Sequence, residues 1–174
     1  MTKNELNAAV ESARAETKAA LQTVYDSLNH GQQNKLIKDE TVVNLIDEVG
    51  YEDNMRLSTS AGNTKGATGT VTSGFIEIGV QGDVYRTSGV NFTSTASGNN
   101  LIGFYDSDKN FTTHTLHFGT ANSTASGQGF DWAIDANGNL TLTLNADART
   151  GDFFRIVGYG SGANLIVTKN QEID

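Results

Sequence analysis

The sequence predicts a mainly β chain: an antiparallel β-sandwich of the jelly-roll type, preceded by a small α-helical N-terminal segment. Three observations carry this. Residue usage shifts from Ala, Glu, Lys and Leu in residues 1–57 to Thr, Ser, Asn, Gly and aromatics beyond residue 66. Short apolar-polar alternations recur through the later part, separated by turn clusters. The 174 residues include 19 glycines and no proline, so turns fall to Gly, Asn, Asp and Ser.

Residues 1–57 hold six basic and ten acidic side chains, and residues 58–174 hold the same numbers over twice the length. The stretch RLSTSAGNTKG, residues 56–66, reads as the boundary. The expected organisation is a helical docking or oligomerisation segment over 1–57, a flexible linker over 58–66 and a sandwich domain over 67–174.

Thr2 or Asn4 can cap a first helix running to about Asn29, where His30-Gly31 supplies a stop. Leu6, Val10, Ala13, Thr17, Ala20 and Val24 recur at alternating spacings of four and three, a thin heptad-like stripe. So narrow a seam needs neighbouring helices or copies of itself to stabilise it. Asp39 reads as the N-cap of a second helix over 40–49, stopped by Gly50, with Val42, Val43, Leu45, Ile46 and Val49 on its buried side. The region is either a small helical hairpin or an oligomerising or docking stalk.

Strands are expected at 69–71, 75–80, 84–86, 90–93, 101–105 and 113–118. In FDWAIDANGNLTLTLN, Phe130, Trp132 and Ile134 alternate with polar or small residues, then Leu140, Leu142 and Leu144 do so beyond Asn137-Gly138. That is a hairpin with one dry face. A last hairpin pairs strands 152–157 and 163–168 around a glycine-rich loop at 158–162. The stretches TSTASGNN and TANSTASGQG read as long polar loops, where binding usually sits on a rigid sandwich.

The formal charge of −8 argues against a nucleic-acid surface, which needs a net basic face. Without cysteine, neither a disulfide framework nor a thiolate metal site is possible. No apolar run is long enough to span a membrane, and the charged, helical N-terminus is unlike a signal peptide. Export by the usual leader is not expected.

Catalytic and metal-binding patterns are weak. His114 and His117 lie three apart in an expected strand, so they face opposite sides and cannot chelate one metal, while His30 sits at a helix end. No serine stands in a nucleophile elbow. The carboxylate pairs Asp106/Asp108, Asp131/Asp135 and Asp147/Asp152 are local and sit in polar turns, whereas a glycosidase needs one in an apolar setting across a cleft. DANGN, residues 135–139, spaces oxygens like a calcium loop but lacks the later bidentate glutamate, so it reads as a turn. No catalytic residue, metal ligand or cofactor is expected.

Phe75, Phe104, Phe118, Phe130 and Phe154 fit a core. Tyrosines and tryptophan can instead stack on a sugar face while hydrogen-bonding its hydroxyls. The candidate ligand contacts are therefore Tyr159, between Gly158 and Gly160, together with Tyr105, Tyr85, Arg86 and Trp132. Core packing competes at every ring, and outweighs sugar stacking at all but Tyr159, where the two stand level.

FYDSDKNF at 104–111 and FFRIVGYGSGANLIVTKNQEI at 153–173 together resemble the carbohydrate-binding-type jelly-roll modules of tail-fibre, baseplate and related virion proteins from phages of Gram-positive gut bacteria. Residues 5–50 resemble short helical segments of small proteins from such structural loci. The resemblance implies a non-enzymatic virion protein that binds host-surface or mucosal glycans. It would contact other virion proteins through its N-terminal helices, form a homo-oligomer with a trimer favoured, and leave the host by lysis. A purely structural decoration or head-fibre protein is the alternative, and a glycan hydrolase a third.

Overall fold

The computed structural model describes residues 1–27, 42–93, 101–116 and 120–173. The chain divides into two compact units, Met1–Thr41 and Val42–Asp174. His30-Gly31, Asp39, Glu40, His117, Phe118 and residues 94–100 lie outside the described residues.

In the first unit α1 spans Lys3–Ser27. Thr2 is its cap: the Glu5 amide donates to Thr2 Oγ1 (3.2 Å), and the Thr2 amide donates back to the Glu5 carboxylate (2.6 Å), a capping box. Leu6, Val10, Leu21 and Val24 stand 52, 40, 65 and 58% exposed. Val10, Ala13, Thr17, Leu21 and Val24 line one shallow apolar stripe, so Leu21 rather than Ala20 continues the seam.

The second unit opens with α2 (Leu45–Val49), which starts later than the sequence suggests. Asn44 is its N-cap, accepting the Ile46 amide on Oδ1 (3.1 Å), and Gly50 ends it as expected. Ile46 is buried, but Val42 and Val43 are 44 and 57% exposed, not on a buried face. Asn44 also accepts the Val167 amide and donates to the Leu165 carbonyl, pinning the entry of the unit to its last strand.

Among the described residues eleven strands follow: β1 (Tyr51–Leu57), β2 (Thr64–Ser73), β3 (Ile76–Glu77), β4 (Val84–Ser88), β5 (Leu101–Tyr105), β6 (Phe111–Leu116), β7 (Ser123–Gly127), β8 (Phe130–Ile134), β9 (Leu140–Leu144), β10 (Phe153–Tyr159) and β11 (Ile166–Lys169). They form two antiparallel sheets, β1-β2-β10-β5-β6 with β3 also on β10, and β11-β4-β9-β8-β7. The architecture is the expected β-sandwich preceded by a helical segment.

The element boundaries need correction. Residues 51–57, expected in the helical segment, are strand β1, and 58–66 is not a linker but the turn of a hairpin and the start of β2. The Ser58 amide donates to Asn63 O and the Gly62 amide to Ser58 O, with Gly62 at φ 64° closing the turn. β1 escapes its pattern because Glu52, Asp53 and Asn54 are exposed, and pairing with β2 stabilises it instead of its own burial. Likewise part of TANSTASGQG is strand β7, which among the described residues pairs with β8 alone.

The core between the sheets comes from the alternating residues. Tyr85, Phe104, Phe130 and Phe154 form a chain of ring contacts at 5.1–5.4 Å, with Ile102, Leu140, Leu142 and Ile156 around them. The outer face of the first sheet is buried too. Leu57, Leu101 and Val157 are fully covered there, and Tyr105 packs edge-on against Phe75 (4.9 Å) and Phe111 (5.7 Å). A Cβ on Gly103 would meet Leu57 Cδ1 at 2.9 Å, so the glycine admits the end of β1 onto β5.

Candidate functional site

One end of the sandwich opens into a cleft of about 450 Å³ with Ile78, Phe104 and Tyr105 as apolar wall and Thr112, Thr113, Gln128, Asp147, Arg149 and Asp152 as polar lining. Its size is ordinary for a small-ligand site, but the polar share is high. Local structure explains the assembly. Gln128 and Gly129 both have positive φ (55° and 86°), the two-residue turn that joins β7 to β8. A Cβ on Gly129 would lie 2.7–2.9 Å from the backbone of Asp147 and Ala148, so glycine lets the 145–152 loop close onto the turn.

That loop is fixed through its backbone. The Asn145 amide donates to Gly129 O (3.0 Å), the Asp147 amide to Asn145 Oδ1 (3.0 Å) and the Asp152 amide to Arg149 O (3.1 Å). Ile78 and Gly151 bond across to it, and Thr150 Oγ1 donates to Gly79 O (2.7 Å). The side chains of Gln128, Asp147, Arg149 and Asp152, by contrast, make no hydrogen bond or ion pair among the described residues. A cleft with two carboxylates, an amide and a guanidinium left over offers acceptors and donors together, the need of a polyol whose hydroxyls both donate and accept.

Other carboxylates are committed to turns. Hydrogen bonds from Asn110 hold Asp106 below its ordinary value, Asn170 and then Lys169 do so for Asp83, and Ser126 and then Asn145 for Asp131. For Asp135 burial pushes upward, but the bonds from Asn139, Asn137 and Gly138 together outweigh it and the net shift is down. Among the described residues no group of three His, Cys, Asp or Glu is placed to hold a metal ion.

The five aromatic and basic candidates do not form one surface. Tyr85 is fully buried, donating its hydroxyl to Glu77 O (2.7 Å) and accepting the Gly79 amide (3.0 Å). Tyr105 is 3% exposed and donates to Gly62 O. Burial pushes both phenols upward. Trp132 is 6% exposed, on the inner face of β8 opposite Leu142. These three rings are core elements, not sugar platforms, because their alternation places them on covered faces. Arg86 is partly exposed on the second sheet and pairs with Glu172 (3.0 Å). Tyr159 ends β10 in the first sheet, half-buried, exchanging backbone bonds with Asn91 instead of standing in a loop. Of the five, Tyr105 alone lines the end cleft.

The sequence signal for the cleft was the run DARTGD, residues 147–152, with three charges in six positions. The pair Asp147/Asp152 was visible, but its convergence with Gln128 depends on the packing of Gly129. No family model, curated protein or solved structure matches the chain.

Proposed function

We propose that this chain is a non-enzymatic bacteriophage virion protein whose β-sandwich binds host-surface or mucosal glycans in the end cleft. The observation that carries the reading is the set of uncommitted polar side chains, Gln128 on the β7–β8 turn and Asp147, Arg149 and Asp152 on a loop whose backbone is held by hydrogen bonds. A preorganised polar lining suits sugar hydroxyls. The motifs at 104–111 and 153–173 resemble those of phage modules, which supports a virion setting with release by lysis; the second is not the expected hairpin, since β10 and β11 lie in different sheets and pair with other strands. Binding per site is shallow, and avidity comes from copies gathered by α1, a trimer being favoured.

A glycan array and a titration with wall polysaccharide test this. The parent should bind, and Asp147→Asn with Arg149→Ala should lose about tenfold or more, as each removes a charge-assisted bond. A parent silent in both assays sinks the reading.

The exposed apolar stripe of α1 favours a second reading, a structural decoration or head-fibre protein that contacts other virion proteins. Deleting residues 1–41 separates them. A lectin keeps its monovalent glycan affinity, whereas a decoration has none to keep and loses virion association.

A further inference from the structure

Two turns of the sandwich are built alike, and their difference singles out Lys109. In one, Asp106 Oδ1 accepts the amides of Asp108 (2.9 Å) and Asn110 (2.8 Å), and Oδ2 accepts Asn110 Nδ2 (3.1 Å). In the other, Asp135 Oδ1 accepts the amides of Asn137 (2.8 Å) and Asn139 (2.9 Å), and Oδ2 accepts Asn139 Nδ2 (3.0 Å). The fourth position is left-handed in both: Gly138 at φ 81° and Lys109 at φ 65°. Glycine takes that conformation freely, while a lysine is strained in it. Strain of this kind points to a side chain kept for what its far end does.

The far end of Lys109 sits on two aromatic rings. Nζ lies 5.3 Å from the Phe75 centroid and 5.1 Å from that of Phe153, both within reach of cation–π attraction. The rings are half-buried and line a groove of about 590 Å³, together with Glu48, Glu77 and Lys169. Lys169 is already paired with Asp83 at 3.0 Å. The carboxylates of Glu48 and Glu77 make no hydrogen bond or ion pair among the described residues. Two ring faces, with Arg155 also 4.9 Å from the Phe75 centroid, and two exposed carboxylates, Glu77 being near enough to Lys169 to feel its charge, form a lining that suits a cation, and Lys109 supplies one from the chain itself.

We propose that this groove is a binding site for an organic ammonium ion, with Lys109 as its displaceable occupant in cis. The ring pair takes the desolvated face of the ammonium, Glu48 and Glu77 balance its charge, and the exposed turn lets Lys109 swing into solvent. This site is separate from the end cleft, and the inference stands whether or not that cleft holds a glycan.

The test titrates the full-length protein and its Lys109→Asn variant with tetramethylammonium chloride. The amide resonances of Ile76 and Gly79 are followed, and sodium chloride matches the ionic strength. Asparagine tolerates the left-handed turn, and Lys109→Gly, copying Gly138, serves should the first variant not fold. With the competitor gone, the variant should bind at least about threefold more tightly than the parent. Adding Phe153→Leu to Lys109→Asn should abolish the response while keeping apolar volume. The neutral isostere 3,3-dimethylbutan-1-ol should produce none. No saturable shift in either Lys109 variant up to about 100 mM, or an equal response to the isostere, overturns the proposal.

Discussion

Tyr105→Phe removes one oxygen and leaves everything else in place. The Tyr105 hydroxyl donates to the carbonyl of Gly62, a buried residue, and no other donor reaches that oxygen among the described residues. The ring contacts with Phe75 and Phe111 survive the change. The loss is therefore one buried hydrogen bond plus an orphaned acceptor, about 1–2 kcal/mol. For a unit of this size that lowers the melting temperature by about 3–10 °C. Trp132 is the one tryptophan and lies in the sandwich, so its fluorescence reports this unit. The alkaline limb adds a second readout. Burial raises the folded phenol above its ordinary 10.0, so its stabilising share is complete below pH 10 and is lost as pH climbs through the raised value. The phenylalanine variant should decline less steeply there, with Tyr85 keeping its own part. A variant that melts with the parent refutes the structural role, as does one that loses affinity for a parent-bound polysaccharide without any change in melting.

Glu52→Ala should cost about 1.5–3 kcal/mol by urea unfolding, because it strips the 2.7 Å carboxylate from a guanidinium only 9% exposed, leaving Arg155 its bond to Ser73 O and its stack on Phe75. On acidification, stability from Asp83, Asp106, Asp131 and Asp135 is present above their ordinary 3.8 and is lost as pH falls through their lower folded values, so acid unfolding sets in below that point. Asp106→Asn should flatten that limb in a fluorescence titration. Gly89→Ala should cost more than about 2 kcal/mol in thermal melts, since φ is 86° and the new Cβ would lie 1.6 Å from Asn164 O. Gly66→Ala in β2, with nothing within 4 Å, is the neutral control.

Legibility followed periodicity. The 130–144 hairpin and β5 lie where alternation put them, because one covered face imposes a two-residue repeat on the sequence. Yet alternation told only half the story for β5, whose five residues are all buried since β1 and its turn cover the second face. β1 and β7 left little signal, being held by ladder bonds with mostly exposed side chains. The tyrosines misled for a related reason. A phenol with a backbone partner is satisfied in the core, and those partners, Gly62, Glu77 and Gly79, come from distant or bent segments that no local window reveals. Phe75, Phe153 and Lys109 were each visible, but their meeting depends on β3 pairing with β10.

The placement of β10 sets an order of events at the ribosome. It is the tenth strand made, yet it pairs with β2, β3 and β5, and β11 after it closes the second sheet on β4. β2, β3 and β5 must each wait beside an empty lane until residues 153–159 emerge. α1, by contrast, closes its backbone bonds within its own residues, so it can form before any sandwich exists. The helix is thus complete while the sandwich still waits for its tenth strand.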